Sequence, residues 1–143
     1  MKFIDLSLKA HPYHEEITAA MNRVLESGQY IDGPEVDAFE QEFANYLEVK
    51  HVISCNSGTD ALMFAVKALD IGPGDEVIVP SFTYVATASV VAHCGATPVF
   101  CDVDEQTFNI DTESIKSKIT DKTKAVIPVH FFGQSADMDA IKE

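Results

Sequence analysis

Apolar positions along this chain follow two kinds of pattern. From Pro12 to Leu47 they recur at helical spacing: after Pro12, the residues Ile17, Met21, Val24 and Leu25 share one narrow face, and Gly28 supplies a stop. Past the turn GQYIDGPE a second helix is expected from Pro34, with Asp32 or Gly33 as its cap and Val36, Phe39, Phe43 and Leu47 along one side. From His51 onward, short apolar runs alternate with helical stretches. HVISC reads as a strand and is followed by a helix after Thr59; DEVIVP reads as a strand after the turn IGPGD. TYVATASVVAHC reads as a helix, TPVFCDV as a strand, and DTESIKSKI as a short helix capped by Asp111 or Thr112. KAVIPVHFF completes the strands, and SADMDAIKE opens a further helix.

The runs EVIVP and KAVIPV are apolar without strict alternation, as expected for parallel strands covered by helices on both faces. The expected fold class is therefore α/β, an α/β/α sandwich. Right-handed crossovers in such a sheet bring successive connecting loops to the carboxyl ends of the strands. No repeat, low-complexity segment or linker interrupts residues 1–143.

Composition narrows the functional classes. At 143 residues and 46% hydrophobic content the chain can bury a core. Its formal net charge of −13 disfavours nucleic acid as a partner, because that binding relies on basic residues displacing counterions along the backbone. There is no apolar run near the roughly 20 residues of a membrane span, and the start MKFIDLSLKAHPYHEE lacks a secretory pattern, so a cytoplasmic protein is expected. Cys55, Cys94 and Cys101 form neither a C-x-x-C pair nor a metal-ligand spacing with the histidines. They read as buried free thiols, and no metal site is expected.

The junction CNSGTDALMFAVKAL is the first place where the chain can hold a ligand. Gly58 removes a side chain where backbone could approach an anion, Thr59 can cap the helix or donate its hydroxyl, and the first-turn amides have no internal partners. A helix amino terminus carries about half a positive charge, so a phosphate can bind there even in an acidic protein. Leu62, Ala65, Val66 and Leu69 would anchor that helix on the sheet. The same residues also suit a plain capped β-to-α turn. NSGTDA matches neither G-x-G-x-x-G nor G-x-x-x-x-G-K-[ST], which disfavours dinucleotide and nucleoside-triphosphate modules. The next junction, PSFTYVATA, places Phe82 and Tyr84 at what should be the same sheet edge, where an aromatic face could stack on a flat heterocycle. Taken singly, either aromatic reads as a core residue; it is the succession of two such junctions that points to a ligand.

Taken together, the blocks FIDL, GQYIDGPEVDAFEQEFANYL, NSGTDAL, IGPGDEVIVPSFTYVATA, GATPVFCDVD, TFNID and ITDKTKAVIPVHFFGQSADMDAI resemble, in order, the DegT/DnrJ/EryC1/StrS family of pyridoxal-phosphate-dependent sugar aminotransferases. The resemblance implies the fold-type I, aspartate-aminotransferase-like architecture, with residues 1–143 as the amino-terminal portion of its cofactor-binding large domain. It implies that Gly58 and Thr59, with the amide of Asp60, contact the phosphate of pyridoxal 5'-phosphate, and that Tyr84 stacks on the pyridine ring. The Asp60 carboxylate itself reads as a solvated residue complementing the helix dipole. The turn from Tyr30 to Pro34 is similar to a family segment near the nucleotide-sugar site, and it would also serve to orient the two amino-terminal helices. His130 and Gln134, in PVHFFGQ, are left out of the catalytic set; His130 on an apolar run reads as a structural histidine.

In the family, an active-site lysine carries the cofactor and an amino group passes from a donor, glutamate, to a keto sugar on a nucleotide. That lysine and the aspartate facing the ring nitrogen are expected beyond Glu143, and lysines such as Lys67 and Lys124 read as surface charges. By itself the chain is therefore expected not to transaminate, and the complete enzyme is expected to be a homodimer. GQYIDGPEV, ISCNSGTDAL and FTYVATA are similar to the branch acting on UDP-linked N-acetylhexuronic acids for surface polysaccharides. Two alternatives stand beside this reading: a sugar dehydratase of the same family, and a non-catalytic α/β module that binds a phosphate ligand.

Overall fold

In a computed structural model of the protein, Asp5 and residues 11–143 are described, and the chain divides into two units, Met1–Ser54 and Cys55–Glu143. The FIDL block, apart from Asp5, lies outside the described residues.

In the first unit a single 3-10 turn, His11–Tyr13, leads into α1, His14–Ser27, and α2 follows at Pro34–Leu47. Both boundaries follow from local chemistry. Gly28 ends α1 in the left-handed region, φ 68°, where a residue without Cβ carries no steric penalty. Pro34 opens α2 behind an extended Gly33, because proline has no amide hydrogen to lose at the first helical position. Arg23 on α1 grips Glu35 on α2 through both carboxylate oxygens, at 2.6 and 3.1 Å. Phe39 stacks on Phe43, and Phe43 on Tyr46, with centroids 5.5 and 6.2 Å apart. The helical faces expected from the sequence are present but not covered: Ile17, Met21, Leu25, Phe39, Phe43 and Leu47 are all exposed, and Ala44 is the buried residue of α2.

The second unit is built on three parallel strands, β1 (Glu76–Pro80), β2 (Thr97–Cys101) and β3 (Thr123–Val126), in the order β2-β1-β3. Helix α3, Gly58–Ala68, precedes β1; α4, Ala86–His93, joins β1 to β2; α5, Thr112–Lys118, joins β2 to β3; α6, Met138–Lys142, closes the chain. Val77, Ile78 and Val79 of the central strand are each 0% exposed, so this strand is covered on both faces. Successive side chains point to opposite sides. Val77 and Val79 accordingly pack with Val66 of α3 and Val90 and Val91 of α4, whereas Ile78 packs with Cys101, Ile110, Ile115 of α5 and Ala136. Each such side chain contributes roughly 1.5–3 kcal/mol of burial free energy, which makes β1 the spine of the unit.

Three expectations are corrected. His51–Cys55 carries no strand: no ladder partner exists for it among the described residues, and Ile53 is 86% exposed. A β-prone run becomes a strand only where a neighbour supplies hydrogen bonds. Of the four residues expected to anchor α3, Val66 is buried and Leu62 half-buried, while Ala65 and Leu69 face solvent. β3 is shorter than KAVIPVHFF suggests. The amide of Ile127 still bonds the carbonyl of Ile78 at 2.9 Å, but Pro128 has no hydrogen to extend the ladder.

Candidate functional site

In the order β2-β1-β3 the chain steps from β1 to β2 on one side and then crosses back past β1 to β3 on the other, and in open parallel sheets such a reversal of strand order forms a crevice at the carboxyl ends of the strands. A cavity of about 510 Å³ lies there. It is bounded by Gly58, Thr59 and Leu62 of α3, by Thr83, Tyr84, Ala86 and Thr87 after β1, and by Ile127 to His130 after β3. The structure thus brings together Gly58, Thr59 and Tyr84, which the sequence places 26 residues or so apart. Asp60 is not on the cavity wall.

The amino terminus of α3 is organised by Ser57 rather than Thr59. Ser57 is extended, φ −156° and ψ 155°, and its Oγ accepts a hydrogen bond from the amide of Asp60 at 3.1 Å. The same hydroxyl donates to Oδ2 of Asp60 at 3.1 Å. In this structure the amide of Asp60 is engaged by the cap. The amide of Ala61 bonds the Ser57 carbonyl at 3.0 Å. Among the described residues no acceptor reaches the amides of Gly58 and Thr59, so these two donors remain free beside the cavity. A Cβ placed on Gly58 would meet nothing within 4 Å, so the space in front of this backbone is open to a ligand. The S-x-x-D spacing of SGTD was the signal for this cap, and reading Thr59 as the cap overlooked it.

The two aromatics of the following junction part company. Phe82 packs on Phe131 at 4.9 Å and on Phe108 at 5.6 Å, so its ring is committed to other protein rings. Tyr84, 75% exposed, stands on the cavity wall. The Thr83 and Thr87 hydroxyls pair at 3.2 Å and hold the turn between β1 and α4.

His130 reaches the same cavity from the end of β3. Its Nδ1 accepts the amide hydrogen of Ala136 at 3.1 Å, which is the satisfied arrangement expected of a structural histidine, yet the residue is exposed at the cavity. Its position after a strand of the parallel sheet was the available signal. Gln134 is placed elsewhere, in the turn after His130. Lys67 and Lys124 are exposed and away from the cavity. Cys101 is buried and Cys94 half-buried, but Cys55 is exposed, contrary to its reading as a buried thiol. No cluster of histidine, cysteine and carboxylates among the described residues could hold a metal ion. No helix among them is long and apolar enough to cross a membrane.

The donor set fits a phosphorylated heterocycle: two free amides and a hydroxyl at a helix amino terminus, an open approach at Gly58, and one aromatic ring on the same wall. The chain is also similar to known proteins over nearly its whole length. The chain is 50% identical over 141 residues to the UDP-2-acetamido-2-deoxy-3-oxo-D-glucuronate aminotransferase of Pseudomonas aeruginosa, covering 99% of this chain and 39% of that protein. It is 52% identical over 139 residues to the dTDP-3-amino-3,6-dideoxy-alpha-D-galactopyranose transaminase of Aneurinibacillus thermoaerophilus, covering 97% of this chain and 38% of that one. Among solved structures, S. venezuelae DesV in complex with a ketimine intermediate superposes with a TM-score of 0.94 at 47% identity, over 99% of this chain and 38% of that one. A DegT DnrJ EryC1 StrS aminotransferase from Brucella abortus gives a TM-score of 0.90 at 44% identity, over 99% and 40% of the two chains. The chain therefore spans about two fifths of the length of these relatives, and its helix-covered parallel sheet is a part of their fold. The sequence profile of the DegT/DnrJ/EryC1/StrS aminotransferase family matches residues 12–143, and the chain belongs to that family of pyridoxal-phosphate-dependent enzymes.

Proposed function

We propose that the complete protein carrying this chain transfers an amino group from an amino acid, glutamate, to a nucleotide-linked keto sugar, with pyridoxal phosphate as cofactor. Residues 1–143 form the amino-terminal portion of its cofactor-binding domain. One observation carries the proposal: Gly58, Thr59 and Tyr84, from separate elements, meet on one cavity at the carboxyl ends of β1 and β3.

In this reading the free amides of Gly58 and Thr59, with the Thr59 hydroxyl, receive the phosphate, and the positive end of α3 favours its charge. Asp60 acts indirectly by tying Ser57 into the cap. The exposed Tyr84 ring covers one face of the pyridine and excludes water from it. When bound, pyridoxal phosphate supplies an electron sink that stabilises negative charge next to the amine nitrogen. The proton-transferring lysine and the carboxylate at the ring nitrogen are assigned to the rest of the complete protein.

Relatives named for UDP-linked and for dTDP-linked sugars have similar identity to this chain, 50% and 52%, so the substrate is proposed at the level of a nucleotide-linked keto sugar. A role in polysaccharide assembly is supported by a relative named as the spore coat polysaccharide biosynthesis protein SpsC of Bacillus subtilis, 53% identical over 121 residues. We further propose a cytoplasmic homodimer, where nucleotide sugars and glutamate are at hand.

The test is an absorbance titration of the complete protein with pyridoxal phosphate. Binding with a visible band that glutamate discharges is expected. Gly58→Val should fold normally, since a Cβ at this position meets nothing within 4 Å, and should bind the cofactor at least roughly tenfold more weakly by crowding the phosphate. Lys67→Ala should bind as the parent does. Equal cofactor affinity in parent and G58V would remove the phosphate from this helix end.

A further inference from the structure

The loop that follows β3 is fixed by a side chain from a distant segment. Asn109, between β2 and α5, is only 5% exposed. Its Nδ2 donates to the carbonyls of Gln134 and Ser135 at 3.2 and 3.1 Å, and its Oδ1 accepts the amide hydrogen of Phe131 at 3.0 Å. A buried amide with three such bonds reads as a clamp, because breaking any of them would leave a polar group unpaired away from water. The ring of Phe82 adds a second hold on Phe131. Between these ties Phe132 and Gly133 both sit in the left-handed region, with φ of 53° and 80°. A non-glycine residue stays in that region only where its surroundings impose it.

The clamp closes the loop so that the amide of Ala136 donates to Nδ1 of His130 at 3.1 Å. A backbone amide can only donate, so Nδ1 holds a lone pair and the proton of the neutral ring resides on Nε2. That second nitrogen has no protein partner among the described residues, and the residue stands on the cavity wall with Gly58, Thr59 and Tyr84.

We propose that His130 is a ligand-binding residue that donates its Nε2–H to an oxygen of the phosphorylated heterocycle held in this cavity, and that Asn109 is the positioning residue that sets its tautomer. Three segments thereby converge on one ligand: the helix end for the phosphate, Tyr84 for the ring face, and His130 for an oxygen acceptor. The proposal rests on the reading of the cavity as the pyridoxal phosphate site.

Two measurements on the complete protein test it. Long-range nitrogen–proton NMR correlation of the ligand-free protein, under mildly alkaline conditions, should show His130 protonated at Nε2. Titration with pyridoxal phosphate should then move that signal. His130→Phe should bind the cofactor roughly tenfold more weakly, the loss expected for one hydrogen bond to an ionised acceptor, and His130→Gln, whose amide can still donate, should recover most of the affinity. Asn109→Asp keeps the acceptor for Phe131 but loses both donated bonds; it should give mixed His130 tautomers, and the double variant with His130→Phe should bind no more weakly than His130→Phe alone. A proton on Nδ1 in the parent, or parent-like cofactor affinity in His130→Phe, would overturn the proposal. If the parent protein itself fails to bind pyridoxal phosphate, the functional reading falls and the ligand role of His130 falls with it. Parent binding with an indifferent His130→Phe removes the histidine alone.

Discussion

The Ser57 hydroxyl accepts the amide hydrogen of Asp60 at 3.1 Å and donates to that residue's carboxylate at the same distance. One side chain therefore consumes the third amide of α3 and leaves those of Gly58 and Thr59 exposed to the cavity. Ser57→Ala should lower the stability of the complete protein by about 1 kcal/mol, the usual cost of losing such a cap, measured as a shift in the urea midpoint. Ser57→Asp should keep most of the cap yet weaken cofactor binding if the proposed phosphate site is correct, because it puts a carboxylate next to the free amides of Gly58 and Thr59. Unchanged affinity in Ser57→Asp would argue that no anion binds here.

Cys101 gives a prediction about reactivity. Burial pushes its thiol from the ordinary 9.0 up to about 11, and the neighbouring charges of Asp102 and Asp111 add to the effect. The thiol is 2% exposed, whereas Cys55 lies in solvent. At pH 8 a thiol-specific reagent should modify Cys55 in the native protein and reach Cys101 only after unfolding. The sign with pH follows from the raised value. The neutral thiol is favoured in the folded state, so its contribution to stability is complete below 9 and is lost as the pH rises through about 11. Cys101→Ala should flatten that alkaline loss. Fast labelling of Cys101 in the native state would contradict the burial.

The turn that carries Asn109 is held by Asp104. Its Oδ1 accepts from the amide of Thr107 at 2.8 Å, the hydroxyl of Thr107 at 2.9 Å and the amide of Gln106 at 3.1 Å. These bonds, the Thr107 amide foremost, hold its carboxyl below the usual 3.8. A depressed value contributes stability above the unfolded-state pKa, and the contribution disappears as the pH falls through the lower folded value. A side-chain NMR titration should show Asp104 among the last carboxylates to protonate on acidification, and Asp104→Asn should lessen the acid sensitivity of the turn. Titration of Asp104 at the ordinary value would mean that the three bonds do not persist in solution.

Much of the fold was legible because its signals are short-ranged. Gly28 ends α1, Pro34 begins α2, Asp111 caps α5 through the amide of Glu113, and the apolar run of β1 announces a strand buried on both faces. The cavity residues Gly58 and Thr59 were equally visible, since a glycine and a hydroxyl at the start of a helix are local features. The long-range choices were not visible. HVISC has strand composition, but without a ladder partner among the described residues it forms none.

What the order of residues determined alone was therefore most of the element sequence, the layered α/β class and the family motifs, because period, capping and turn chemistry act over a few residues. Tertiary structure decided which residues face the ligand space. Phe82 and Tyr84 are equivalent aromatics on paper, and only the approach of Phe108 and Phe131 commits the first and leaves the second free. His130 is likewise a single polar residue in an apolar run until Asn109, two segments away, closes the loop that orients it. Such assignments depend on side-chain contacts between residues far apart in the chain, which local periodicity does not encode.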